Sequence, residues 1–188
     1  MSESLVEPSR RFIEAVSRSL ESVSTGVTGV RADQLHQDAA LEAFNLVCGL
    51  VAIDHRTTDD ELWEVMAAFG PLLETRLAGA TPAALRDSGL VDTQREFAAQ
   101  PSALFEVLLA ADARGATTHA RGYYTAAVEI AFAVAAIDLH TSEAELTAIE
   151  RFRGMLLGAI EEMEAGRRPV AAAGPGAPPS PTATPSPP

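Results

Sequence analysis

The chain contains no lysine: all 14 of its basic residues are arginine. That absence excludes a phosphate-binding-loop lysine, a Schiff-base lysine and every other form of lysine catalysis. Cys48 is the only cysteine, so an intrachain disulfide and a thiolate zinc cluster are both excluded. Cys48 lies in an apolar run and reads as a small buried hydrophobe. Aromatic residues make up only 5% of a chain that is 47% hydrophobic, leaving Ala, Leu and Val to fill the core. No apolar run approaches the roughly 18–20 residues of a membrane span, and no signal-peptide pattern precedes the first amphipathic segment. A cytoplasmic protein without membrane insertion is expected. Several motifs are also missing: His-Glu-x-x-His, Gly-x-Ser-x-Gly, a glycine-rich phosphate cradle and a calcium loop with its central glycine. No catalytic residue is assigned, and a hydrolase would need a site of another kind.

The formal net charge is −12, and all of it lies before residue 169. A body this acidic repels phosphate backbones and anionic lipid headgroups, so nucleic acid is not an expected partner. A basic protein surface or a cation is.

Periodicity predicts helices throughout and no strand. Phe12, Val16 and Leu20 place a helix over about 8–24, and a loop rich in Ser, Thr and Gly follows. A helix over about 33–54 ends in the wholly apolar run Leu46–Ile53. One over about 59–77 carries Leu62, Val65, Met66, Phe69 and Leu73, with Pro71 predicting a kink or an early end. Thr81-Pro82 starts a short helix, and Pro101-Ser102 starts another that stops at Gly115. A helix over about 118–139 contains a second apolar run, Ile130–Ile137. The last, over about 142–165, places Leu146, Ile149, Phe152, Leu156 and Ile160 on one stripe and ends at Gly166. The expected fold is an all-α bundle of about seven helices. Its organisation is an N-terminal helix and loop (1–32), a helical domain (33–166) and a Pro/Ala-rich tail (167–188). Eight of the 12 prolines fall in that tail, which has nothing large and apolar after Val170 and is expected to be a disordered linker or tether.

Residues 51–62 (Val-Ala-Ile-Asp-His-Arg-Thr-Thr-Asp-Asp-Glu-Leu) align without gaps on 135–146 (Ala-Ala-Ile-Asp-Leu-His-Thr-Ser-Glu-Ala-Glu-Leu), with six of 12 positions identical. Each copy joins an apolar helix to an amphipathic one, so the chain is an internal repeat. Thr58 with Glu61, and Ser142 with Glu145, read as capping boxes. Asp59 and Glu143 sit favourably at the positive end of the helix dipole. Asp54 and Asp138 do not, because each falls at the negative end of the helix before it. Two compensations remain open for them: hydrogen bonds to the loop amides that follow, or a divalent cation (Ca²⁺ or Mg²⁺) shared among Asp54, Glu61, Asp138 and Glu145. His55 and His140 occupy the two loops at unmatched positions, which disfavours a symmetric histidine site. Trp63 is either a protein-contact anchor or core filling. Glu129 is expected to contact a loop or Arg121.

The doubled pattern of apolar helix, Ala-Ile-Asp, four-residue loop, acidic residue and Glu-Leu resembles the TerB-like domain family associated with tellurite resistance, over about residues 33–165. That family has Asp-Gly where this chain has Asp54-His55 and Asp138-Leu139. The resemblance implies a helical bundle with pseudo-twofold symmetry and acidic residues near the axis. It further implies a non-catalytic interaction or regulatory role in metal- or stress-linked assemblies, and a Pro/Ala-rich linker leading to an AAA+ ATPase module is one arrangement expected with it.

Overall fold

A computed structural model describes residues 4–25, 28–53, 56–73, 77, 79–137 and 143–167. Among them are seven α-helices, one 3-10 helix and no strand: α1 (Val6–Val23), α2 (Ala32–Val51), α3 (Asp59–Phe69), α4 (Pro82–Asp87), the 3-10 helix (Asp92–Ala98), α5 (Ala103–Gly115), α6 (His119–Ala135) and α7 (Glu143–Arg167). The fold is all-α, as the periodicities require.

Helix ends follow local chemistry. α3 stops at Phe69: Gly70 donates to the Met66 carbonyl, Pro71 has no N–H to give, and beyond it the Leu73 amide reaches back to the Phe69 carbonyl at 2.8 Å. α2 stops at Val51 rather than running on to Asp54: the Ile53 amide tightens onto Leu50, and Arg95 Nε takes the Ala52 carbonyl at 3.0 Å. α6 likewise ends early, at Ala135. α7 does not end at Gly166 but continues to Arg167. A glycine costs a helix only about 1 kcal/mol and does not by itself break it. α5 ends after Gly115, with Ala116 in the left-handed conformation at φ 55°.

Matched positions of the repeat are buried alike in the two central helices. Ala43, Leu46, Val47 and Leu50 of α2 correspond to Ala127, Ile130, Ala131 and Val134 of α6, and all are in the core. α2 and α6 pack on each other, α1 packs on both, and the 3-10 helix packs on α2. This last arrangement exposes an earlier block of the repeat. Residues 5–12 (Leu-Val-Glu-Pro-Ser-Arg-Arg-Phe) align on 90–97 (Leu-Val-Asp-Thr-Gln-Arg-Glu-Phe), with Leu, Val, Arg and Phe identical. Both blocks make the same i, i+3 ion pair, Arg10 with Glu7 at 2.7 Å and Arg95 with Asp92 at 3.3 Å. The opening element of each unit thus reaches the central helix of the other: α1 packs on α6 as well as on its own α2, and the 3-10 helix packs on α2. In the first unit this helix is continuous. In the second it is broken at Pro101, giving the 3-10 helix and α5.

Candidate functional site

The motif residues were the first candidates. Thr58 and Glu61 form the capping box: the Thr58 amide donates to Glu61 Oε2 at 2.6 Å, its hydroxyl donates to the same oxygen at 2.9 Å, and the Glu61 amide donates to Thr58 Oγ1 at 3.2 Å. Asp59 is paired with Arg86, which also reaches the Thr57 carbonyl at 3.4 Å and so folds α4 back over the start of α3. Glu145, like its match Glu61, is buried in the first turn of its helix. Asp54, His55, Asp138, His140 and Ser142 lie outside the described residues. The structure therefore places two of the four acids singled out as ligands, Glu61 and Glu145. Among the described residues no group of three or more His, Cys, Asp and Glu side chains could hold a metal.

Two further buried polar groups are absorbed by the fold. Glu42 on α2 accepts the Tyr123 hydroxyl at 2.6 Å, and Ser102 Oγ lies 3.3 Å from the same phenol oxygen. Burial holds Tyr123 well above its ordinary pKa, and the Glu42 carboxylate pushes it further. Neutral at physiological pH, it ties α6 to α2 and to the start of α5. Asp112 on α5 accepts from the Thr117 hydroxyl (2.6 Å) and from the amides of His119 (2.9 Å) and Ala120 (2.7 Å). It thus caps α6 from the preceding helix, satisfying amides that the first turn leaves without partners. Cys48 is buried, as its apolar run requires, and burial drives its thiol far above the usual range. Such a thiol is not a nucleophile. Glu129 does not meet Arg121. It faces Arg11 of α1 at 3.5 Å, while Arg121 is held by Glu164 at 2.8 Å.

What the core does not absorb is apolar surface on either side of α1. On one side, Pro8 and Arg11 of α1 face Glu129, Phe132 and Ala133 of α6 across an opening of about 460 Å³. Phe132 is 47% exposed there, with the Arg153 guanidinium 5.7 Å over its ring. On the other side, α1 and α3 enclose a more apolar groove of about 230 Å³. Ile13 and Ala68 form its floor, Val6, Ala67 and Leu72 its walls, and His36 closes one end. The Leu5 amide donates to Glu64 Oε2 at 3.0 Å, fixing the start of α1 against α3. Trp63 stands one turn before Ala67 on the same face of α3, 57% exposed. Of the two readings left open for it, core filling is excluded by that exposure. Val6 and Leu72, 44% and 42% exposed, were not singled out by sequence. The available signal was their position outside the inward stripes, with Val6 one residue off the Phe12–Val16–Leu20 face and Leu72 just beyond the proline that ends α3.

No protein-family model, curated protein or solved structure matches this chain.

Proposed function

We propose that this chain is a non-catalytic interaction and regulatory domain of TerB-like type, acting in the cytoplasm within a larger stress-linked assembly. It binds a protein partner through the α1–α3 groove, and residues 167–188 tether it to a further module such as an AAA+ ATPase. One observation carries the interaction reading. The chain's only tryptophan, together with Val6 and Leu72, leaves its apolar surface in the open beside a groove with an apolar floor. Contiguous exposed apolar surface with a polar rim marks a binding face rather than a defect of the core. The test is site-specific photo-crosslinking in the cells that express the protein. A crosslinker at position 63 or 72 gives discrete adducts, and one at exposed Arg151 on α7 gives none. Adducts from neither face, or equal adducts from both, overturn the reading.

A second reading is a divalent-cation sensor using Asp54, Glu61, Asp138 and Glu145. It is favoured by two carboxylates, Glu61 and Glu145, buried at matched positions of the repeat. A cation bound only by the folded state raises Tm in proportion to its occupancy. Millimolar calcium then raises the midpoint of the wild type and not that of the Asp54→Asn, Asp138→Asn double variant. An unchanged wild-type midpoint removes this reading. Any shift is small, because the glycine that would tighten each loop after its Asp is replaced by His55 and Leu139.

A further inference from the structure

The helix that follows the motif differs in length between the two units, 11 residues in α3 and 25 in α7. α3 and α7 begin at matched residues, 59 and 143, but α3 ends at Phe69 while α7 runs on to Arg167. The second half of α7 lays Leu156 and Ile160, both in the core, along the face that α7 turns to α5 and α6. In the first unit the regular helix ends before Pro71, and Arg86 lies back at the start of α3. Pro71 and Leu72, which follow α3, line the α1–α3 groove, and Leu72, 42% exposed, is the match of buried Leu156. At about 230 Å³ the groove falls below the roughly 300–1,000 Å³ of a small-molecule pocket, and a helix laid along it would seat side chains from successive turns.

The charge around the groove is acidic in balance, although Arg10 is among the residues that line it. On α1, Arg10 and Glu14 both line the groove and pair at 2.6 Å, and Arg10 also bonds Glu7, which lines the opening on the other side of α1. On α3, Asp60 and Glu64 flank Trp63 on the exposed side. The body as a whole carries the net −12 of the chain.

We infer that the groove binds an amphipathic helix of a partner protein, with apolar residues spaced i, i+4, i+7 and Arg or Lys on its flanks. The apolar spacing is that of Leu156, Ile160 and Met163 in α7, the segment that the repeat matches to the chain just after α3. The basic flanks answer Glu14, Asp60 and Glu64. This inference rests on the interaction reading above and narrows it to one class of partner.

Two capped 18-residue peptides test it, sharing one leucine stripe at that spacing and differing only in Arg or Glu flanks. Each is titrated into the full chain, with Trp63 emission and calorimetric stoichiometry as readouts. The Arg peptide binds one to one, shifts Trp63 emission, and binds at least tenfold tighter than the Glu peptide. Leu72→Glu weakens the Arg peptide at least tenfold, although the added negative charge favours a basic ligand in bulk. Phe132→Ser, on the other side of α1, leaves it unchanged. Equal affinity for the two peptides, no binding, or binding indifferent to Leu72→Glu overturns the inference. So does self-association of the chain that Leu72→Glu abolishes, since the occupant is then a second copy. Discrete crosslinks at position 63 together with failed peptide discrimination refute the helical partner and leave the interaction reading standing.

Discussion

The two repeat units were built from one pattern and finished differently. At the first junction, Leu62 is wholly buried, at the start of a helix that packs on α1, α2 and α4. At the second, the matched Leu146 is 47% exposed at the start of α7, which packs chiefly on α5 and α6. A similar divergence separates Cys48 from Phe132. Cys48 is in the core of α2, whereas its match on α6 projects into the opening beside α1. Positions that face the shared interior have kept their character, and positions that face outward have diverged with whatever covers them. Identity within the repeat does not by itself fix burial: Ala52 and Leu62 are in the core, whereas the identical Ala136 and Leu146 are exposed.

Exchanging the two leucines for alanine sets the two junctions directly against each other. Leu62→Ala removes a fully buried side chain and costs about 2–5 kcal/mol of unfolding free energy. Leu146→Ala costs under about 1 kcal/mol, because much of that side chain is already in water. Urea denaturation of the pair checks this, and equal losses would break the comparison.

The contact between central helix and partner element comes next. An added Cβ at Gly49 would lie 2.7 Å from the Gln94 carbonyl oxygen and 3.3 Å from the Ala98 nitrogen, both backbone of the 3-10 helix. The matched residue on α6 is already Ala133. Gly49→Ala therefore loses about 1–3 kcal/mol through overpacking, despite a helix-propensity gain of about 1 kcal/mol. A variant that melts at or above the wild-type temperature would show that the 3-10 helix yields easily.

Alkaline pH separates the same two faces. Burial raises the Cys48 thiol in the folded state, so its contribution is fully present below the unfolded value of about 8.5. As pH climbs from there toward the folded value, the unfolded chain ionises first and stability falls by up to about 1.4 kcal/mol per pH unit. Cys48→Ala flattens that fall in denaturation curves collected between pH 8 and 10. An unchanged slope would place its cause elsewhere. The matched Phe132 has no such titration.

The smallest effect is at the caps. Thr58→Ala breaks the box with Glu61 and costs about 1 kcal/mol. Ser142→Ala costs the same if the second copy caps as the first does. A clear difference in Tm between the two would show that the motif has different work at its two sites.

Much of this was legible in the sequence, and for identifiable reasons. Pro71, Thr81-Pro82 and Ser102 set helix boundaries by backbone chemistry that acts within a few residues, and the Thr58–Glu61 box is equally local. The apolar runs around Leu46–Ile53 and Ile130–Ile137 could be placed only at the centre. The 3-10 helix was not legible: its register depends on Gly49, 45 residues away, admitting its backbone. Nor was the role of Arg95, whose target is a carbonyl on α2. The pairing of Leu5–Phe12 with Leu90–Phe97 went unread because one copy is α-helical and the other 3-10, so no shared periodicity announced it. The groove was illegible for a related reason. It is lined by residues of α1 and by those that follow α3, which lie far apart in the chain.

The packing of the opening elements makes the two units depend on each other. α1 rests on both central helices, and the 3-10 helix of the second unit rests on α2 of the first. Cutting the chain between the units would therefore not give two folded halves. The first would lose the 3-10 helix from α2, and the second would lose α1 from α6. The repeat is one cooperative body, although its sequence reads as two.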